Sequence, residues 1–456
     1  VADDLSADLL HRVSADISPL IPAGSLILLG LSGGVDSVVL LYLLHKLAPR
    51  FAWRLSVIHV HHGISQNADA WADFCIALCA RLVIPLHIEK VDITPLRDQG
   101  IEAAARSLRQ RAFSGQHCDF IALAHHSDDQ VETLFLQLLR GAGVKGASAM
   151  PQLSAHTGTH KVVRPLLHCS RARIIDYANE HALPWIEDES NADDSYPRNF
   201  LRHQLLPLMA EKFPAYRQTL TRSTQHFAEA AELLDDLARL DAPDLFSSSL
   251  TGGELKKEGG GLQVSCLQAL SRSRAKNLLR YFLYQLGAPM PQVVQLDNML
   301  LQLCTAREDA TVCINFAGNL WQLYRYQGRV YALPALARFD REYLSEWKGE
   351  AELVWPALNS HVIFQLNDTQ GISLEKLQGA AVTLRLRQGG ESLRPRVNAS
   401  TRTLKNLLQE QDVPPWQRDR LPLLFCGDQL VCVPGVAIAA AYQSQEGELS
   451  VTVTLQ

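Results

Sequence analysis

Residues 31–37 read Leu-Ser-Gly-Gly-Val-Asp-Ser, a glycine turn between two apolar stretches. The segment before it, Ser25–Leu31, is short, continuous and apolar, which is the pattern of a buried strand. The segment after it, Val35–Leu47, is rich in valine and leucine and reads as a helix. A strand, a Gly-Gly turn and a helix start gather free backbone N–H groups around one point, where the helix dipole also favours an anion. The turn is therefore either a tight connection or a phosphate cradle made of Ser32, Gly33, Gly34, Val35 and Ser37. A P-loop closes with Gly-Lys-Ser/Thr, whereas here that place holds Val35-Asp36-Ser37. A carboxylate beside a polyphosphate is repulsive unless a cation lies between them, so Asp36 predicts Mg2+ held against the phosphates.

Working outward, strand and helix patterns alternate from Ser25 to about Leu183. Arg54–His61, Pro85–Val91 and Phe120–Ala124 read as strands, and 67–82, 101–117 and 128–140 as helices. Such alternation implies βαβ units: an α/β, Rossmann-like, mainly parallel sheet with ligands at the carboxyl ends of its strands. The glycine turn, His59-Val60-His61-His62-Gly63 and His125-His126-Ser127-Asp128-Asp129 all fall at such ends.

Beyond Asn199 the texture becomes helical, most clearly over 200–212 and 214–240. Residues 241–261, with Ser247–Ser249 and Gly259–Gly261, read as a linker. Helical patterns resume over 267–285 and 292–303, and a charged, Trp-bearing stretch near 338–356 marks another boundary. In the last hundred residues Val382, Leu384 and Leu386 alternate with Thr383, Arg385 and Arg387, and Leu449, Val451, Val453 and Leu455 repeat the strand pattern. The expected domains are 1–215, 216–340 (mainly helical) and 350–456 (small, α+β).

With 456 residues, two or three domains are expected. A chain 47% hydrophobic and 20% charged is globular rather than disordered. No apolar run approaches the roughly 18 residues of a membrane span, and residues 1–24 show no secretory pattern. Nine scattered cysteines without a Cys-x-x-Cys pair argue against a disulfide framework or zinc ribbon, and point to the reducing cytoplasm. A net charge of −5 gives no global sign of nucleic acid, but local patches exist. Residues 385–420 hold eight basic side chains, among them Arg394, Arg396 and Arg418, against four acids, with Trp416 inside. This stretch reads either as an RNA-binding face with an aromatic for base stacking or as a basic strand face around a core tryptophan.

Asp128, Asp129 and Glu132 open a helix, where carboxylates suit the dipole. Helix capping explains one or two of them, not three acids beside His125 and His126. Acids so placed bind Mg2+, or grip the ammonium of an amine substrate and later accept its proton. Glu102, Arg106 and Arg109 share a helix side. They form either a solvated ion-paired face or, near a nucleotide, a source of charge for a phosphate in transfer. His59, His61 and His62 lack the carboxylate or cysteine that would complete a zinc set. Arg171, Arg173, Arg198 and Arg202, grouped at a domain edge, read as surface charges or as contacts to RNA phosphates.

Taken together, Ser32–Ser37, His59–Ile64 and Ala124–Thr133 resemble the N-type ATP pyrophosphatase superfamily. In that group the glycine loop grips the pyrophosphate end of ATP and reaction occurs at the α-phosphate. Arg164-Pro165-Leu166, Trp185–Asn191, Arg198-Asn199 and Pro414–Pro422 narrow the resemblance to the long bacterial tRNA(Ile)-lysidine synthetases, over nearly the whole chain.

The resemblance implies that ATP adenylates the wobble cytidine of a minor isoleucine tRNA and that free L-lysine then displaces AMP. It implies a Mg2+ site on Asp36 and Asp129, and ATP contacts from residues 32–37, His59 and His125. Catalytic roles fall to Asp36, Asp129, Glu132 and Arg106 or Arg109, and tRNA contacts to Arg198, Arg202, Arg394, Arg396 and Arg418. Gln110 stands where the family usually has an aromatic, which leaves the choice between the two arginines open. A homodimer is left open too. The rivals are a tRNA-thiolating enzyme of the same superfamily, an amidating ligase acting on a small metabolite, and a nucleotide-binding regulator without chemistry.

Overall fold

The computed structural model describes residues 9–456 except 64, 95–100, 156–159, 190–192, 246–260, 308–309, 311, 336–338 and 368–369. Ile64, Ser190, Asn191, Ser247–Ser249 and Gly259-Gly260 thus lie outside the described residues, as does the side chain of Glu102. The chain divides into two compact units, Val1–Leu233 and Leu234–Gln456. Among the described residues no helix is long and apolar enough to cross a membrane.

The first unit is built on a six-stranded sheet of β1 (Leu26–Gly30), β2 (Arg54–His61), β3 (Leu86–Lys90), β4 (Phe120–Ala122), β5 (Leu153–Ala155) and β6 (Lys161–Val163). The strand order is β3-β2-β1-β4-β6-β5, parallel throughout except for β5. Both faces of β1 are covered, which is why it reads as an unbroken apolar run. Leu29 packs into a core with helices α1 (Leu9–Ile17), α2 (Val35–Phe51), α3 (Ala68–Leu82) and, beyond β6, α7 (Arg171–Glu180). Leu28 faces the other way, toward Phe113 of α4 (Ile101–Ser114). Strand order reverses at β1 and β4, so a crevice opens at their carboxyl ends. The glycine turn leaves β1 there, and α5 (Ser127–Leu139) begins shortly after β4, with the single-turn α6 (Val144–Ala147) behind it in the chain.

Two helices differ from the sequence pattern. Helix α2 runs past Leu47 and through Pro49, whose missing N–H falls in the last turn, before Ala52 closes the helix in a left-handed conformation (φ 55°). The helix expected over 200–212 divides into α8 (Pro197–Phe200), a π turn over Leu201–Leu205 and α9 (Leu206–Lys212). Pro207 has no N–H to donate, so the ladder widens upstream and the Leu206 N–H reaches back to Leu201. Helix α10 (Tyr216–Asp241) follows, and the division between the units falls within it.

In the second unit, α11 (Val264–Ala269) and α12 (Arg272–Gln285) replace the single helix expected over 267–285, the chain breaking at Leu270-Ser271. With α13 (Val293–Thr305) they pack on an antiparallel sheet of β7 (Leu262–Gln263), β8 (Val312–Phe316), β9 (Trp321–Tyr326) and β10 (Arg329–Pro334). The helical periodicity of this region gives no hint of that sheet. Three further antiparallel sheets, of five, four and two strands, complete the unit among the described residues.

The stretch expected as a boundary contributes a strand to each of the two larger ones: Leu344–Trp347 pairs with Val382–Arg385, and Glu352–Trp355 with Ser360–Asn367. Val382, Leu384 and Leu386 are buried, as their alternation predicts. Leu449 is not: it lies exposed just before the strand Ser450–Leu455. Trp416 is buried among Tyr324, Tyr331 and Tyr326, at ring-centroid distances of 4.6, 5.2 and 6.1 Å, so it is a core side chain and not a base-stacking platform.

Candidate active site

The glycine turn has a fixed form. Gly33 adopts φ +90°, and a Cβ there would lie 2.7 Å from Ile186 Cδ1. Its carbonyl accepts the Ile186 N–H at 2.9 Å, so this glycine is required by both conformation and space. The Ser37 hydroxyl closes the turn by donating to the Gly34 carbonyl (2.9 Å) and accepting the Ser32 N–H (3.2 Å). No side chain caps α2 at Gly34, which leaves the first-turn N–H groups behind Val35, Asp36 and Ser37 directed at an incoming anion.

His59, expected to touch ATP, is buried and turned inward. Its Nδ1 lies 2.9 Å from the Leu31 carbonyl and 3.5 Å from Cys75 Sγ, so it clamps the turn from beneath. His61 goes to Asp69 at 3.1 Å. Burial brings His62 down to about 4, with the Arg109 charge adding to the effect. Among the described residues no group of three or more His, Cys, Asp or Glu side chains is arranged to hold a metal ion.

The acids meet at His126. This histidine caps α5 in a reciprocal box: its backbone N–H donates to Asp129 Oδ2 (3.0 Å), and the Asp129 N–H donates to its Nδ1 (3.4 Å). Its Nε2 faces Asp129 Oδ2 at 3.5 Å and Asp36 Oδ2 at 3.8 Å, so two carboxylates from different helices converge on one imidazole. Burial raises the Asp36 carboxyl above its ordinary 3.8 against the pull of His126 and Arg171, and Asp36 Oδ1 is buried with no partner. Burial also works against charge on Asp129, but His126, His125, the His126 N–H and Arg198 together outweigh it and hold Asp129 below the ordinary value. At the His126 Nε2 side the helix-mouth acids thus present a pair, Asp36 with Asp129. His126, to which the sequence pattern gives no role of its own, is the residue that joins them. The spacing of His126 to Asp129 matches a capping box, and that is the signal the sequence offers.

Asp128 lies 3.9 Å from His126 Nδ1 on the other side of the ring and accepts the Arg171 N–H (3.0 Å) and Arg217 Nε (2.6 Å). Glu132 is 1% exposed and receives both Arg202 Nε (2.8 Å) and an Arg202 terminal nitrogen (3.0 Å), with Arg198 Nε at 3.3 Å. Burial lifts its carboxyl above the ordinary range despite these cations. Arg202 also approaches Asp129 at 3.7 Å, and Arg198 donates to Thr133. The two arginines read as RNA contacts are therefore tied, at least in part, to the acids behind the site.

Arg106 and Arg109 are both exposed on α4 but face different neighbours. The Arg106 charge falls on His125 and Arg164, at the ends of β4 and β6, whereas that of Arg109 falls on His62 beyond β2. Burial brings His125 to about 4, leaving a neutral imidazole with an unpartnered Nδ1 at the crevice. In the second unit Arg394 and Arg396 are exposed, while Arg418 donates to the Val413 carbonyl (2.8 Å) and the Tyr326 hydroxyl (3.2 Å).

Comparison with known proteins places this geometry in context. Residues 9–209 match the PP-loop domain family, 262–331 the TilS substrate binding domain and 382–455 the TilS substrate C-terminal domain. A tRNA(Ile)-lysidine synthase of Nitrosomonas europaea is 42% identical over 99% of this chain and 95% of its own length. The synthases of the same name from Azoarcus sp. and Coxiella burnetii are 41% and 35% identical, over 92% and 93% of this chain and 89% and 92% of theirs. Among solved structures, the U34-tRNA thiolase NcsA from Methanococcus maripaludis matches 48% of this chain and 78% of its own, with 18% identity and a TM-score of 0.42.

Proposed function

The chain belongs to the tRNA(Ile)-lysidine synthase family of ligase-type enzymes, and from that premise we propose the reaction that its site performs. ATP adenylates the C2 oxygen of the wobble cytidine in a minor isoleucine tRNA with release of diphosphate, and free L-lysine then displaces AMP through its ε-amine to give lysidine. The observation that carries this reading is the uncapped start of α2 behind Gly33-Gly34, facing the converging carboxylates of Asp36 and Asp129.

The N–H groups of residues 35–37 cradle the diphosphate end of ATP, which leaves the α-phosphate open to the base. The buried, unpartnered oxygen of Asp36 fits a cation, and Asp36 and Asp129 would hold Mg2+. When bound it would supply charge neutralisation for the departing diphosphate. Arg106, whose charge reaches the crevice at His125 and Arg164, is favoured over Arg109 for steadying the α-phosphate.

The lysine ammonium, with a solution pKa of about 10.4, must lose a proton before it attacks. Asp129, held ionised, attracts it. Glu132 has both oxygens on Arg202, so its part in placing lysine runs through the Arg202–Asp129 pair. A sulfur-transfer reading gains nothing from the cysteines at the site's edge: burial pushes Cys75 up to about 12 and Cys79 to about 11, opposite to what a reactive thiolate needs.

The test is incubation with ATP, radiolabelled lysine and isoleucine tRNA bearing a wobble cytidine, followed by nucleoside analysis. Label in that nucleoside together with AMP and diphosphate supports the proposal. ADP and phosphate as products, or label from sulfur donors instead of lysine, would overturn it.

A further inference from the structure

A buried polar side chain stands beneath the glycine turn. His59 is 4% exposed, and its own backbone is held firmly, since β2 lies between β1 and β3 and His59 pairs with Ile88. Pairing of β1 with β2 ends at Gly30 and Ile58, and one further bond joins the Leu31 N–H to the Ile58 carbonyl at 2.9 Å. The Leu31 carbonyl is then taken by the His59 imidazole, 2.9 Å from Nδ1. A carbonyl only accepts, so the ring proton sits on Nδ1. Burial, with His61 adding to the effect, holds the ring below its ordinary 6.5 against the pull of that bond, so the imidazole is neutral at pH 7.

This bond reaches further than one residue because a peptide unit is planar. The Leu31 carbonyl and the Ser32 N–H belong to the same plane. That N–H donates to Ser37 Oγ at 3.2 Å, and the Ser37 hydroxyl donates in turn to the Gly34 carbonyl at 2.9 Å. His59 therefore fixes one side of the plane and Ser37, in the first turn of α2, fixes the other. Cys75 of α3 fills the space below, its Sγ 3.5 Å from His59 Nδ1 and 3.6 Å from where a Cβ on Gly33 would stand. Burial pushes this thiol up to about 12, so it is a neutral packing group beside the imidazole. Freed from His59, the Leu31–Ser32 plane could rotate, and Ser37 would lose the donor that orients it.

We propose that His59 is a positioning residue for the diphosphate cradle: by holding the Leu31–Ser32 peptide it sets the direction of the N–H groups that open α2, without touching the nucleotide. The inference rests on ATP binding at the glycine turn, the premise of the lysidine reading. Because the turn grips only the diphosphate end, the effect of His59 falls on ATP and spares AMP.

The experiment compares His59→Leu with His59→Asn in the full chain, by calorimetric titration with ATP and with AMP in the presence of Mg2+. Leucine and asparagine share one branched shape and both omit the outer part of the imidazole, but only asparagine places an N–H where Nδ1 stands. Packing losses thus cancel between the two, and the hydrogen bond is what remains. His59→Leu should weaken ATP binding about tenfold, the upper end of what one hydrogen bond contributes, and leave AMP binding within roughly twofold of wild type. His59→Asn should bring ATP binding back to within about threefold. In turnover, KM for ATP should follow the same pattern, with KM for lysine and isoleucine tRNA unchanged. Equal ATP affinity in the two variants would overturn the inference, as would equal losses for ATP and AMP, which mark a general collapse of the site. If His59→Leu does not fold, His59→Gln replaces it: its amide lies one bond further from the backbone, so it should lose the ATP affinity that asparagine keeps, and parity between the two would overturn the inference. A wild-type protein that binds ATP more tightly than AMP but forms no lysidine refutes the proposed reaction alone.

Discussion

Two pairs of arginines, Arg198 with Arg202 in the first unit and Arg394 with Arg396 in the other, are equivalent in the sequence, as basic residues beside turn formers. The structure treats them oppositely. The first pair folds back on Glu132, Asp129 and Thr133, whereas Arg394 and Arg396 meet no buried acid and stay exposed, Arg394 donating only to the Ala399 carbonyl. A buried carboxylate within reach captures a guanidinium, because leaving the acid unpaired away from water costs more than the arginine loses by giving up solvent. Where no buried acid stands nearby, the same residue type remains available to a polyanion. An arginine's role is therefore decided by what lies opposite it.

Four measurements break or sharpen this contrast between an inward, charge-matched site and an outward basic face. Asp36→Asn should have the largest effect on turnover, a loss of at least a thousandfold in diphosphate release. The same variant should melt roughly 2 °C higher at pH 7. The sign follows from the raised carboxyl: between 3.8 and its folded value the native protein binds the proton more tightly than the unfolded chain, so wild-type stability falls as pH rises through that window. The melting difference should vanish below about pH 3.8; a variant that melts lower than wild type at pH 7 would show that the site is not strained by buried charge.

Gly33→Ala should reduce turnover about a hundredfold and destabilise by roughly 1–3 kcal/mol, since it meets both a positive φ and Ile186. Pairing it with Ile186→Ala relieves the clash but not the backbone strain, so only part of the melting loss should return.

Arg202→Met should cost about 3 kcal/mol in denaturant unfolding, because Glu132 is left buried without its bidentate partner. Adding Glu132→Gln should recover most of that stability and none of the activity. A double variant as unstable as the single one would indicate that Arg202 acts through packing rather than charge.

The smallest effects belong to the outward face. Arg394→Ala/Arg396→Ala should lower the melting temperature only slightly, through the lost bond from Arg394 to the Ala399 carbonyl, while weakening tRNA binding several-fold and flattening its salt slope by about 1 to 2. Arg418→Ala should do the reverse, lowering the melting temperature with little change in slope, because its guanidinium serves Val413 and Tyr326.

Much of the catalytic unit is legible from the residues alone. β2 spans Arg54–His61 as its pattern indicates, and the glycine turn, the histidine run and the acidic helix start all fall at strand carboxyl ends. Less legible is whatever depends on a distant partner. Nothing local to His59 signals that it will bond the Leu31 carbonyl, and nothing local to Trp416 shows that three tyrosines will bury it. The π turn has a local cause in Pro207, but proline marks only where the ladder must yield, not whether it breaks or widens.

By itself, the sequence determined the alternation of strand and helix and the glycine turn with its following carboxylate, because periodicity, chain stiffness and left-handed backbone are properties of neighbouring residues. Only the tertiary structure decided that Asp36 and Asp129 converge on His126 and that Glu132 is claimed by Arg202. Charges interact through space and are weighted by burial. Their partners therefore emerge when helices from separate parts of the chain are packed around one sheet.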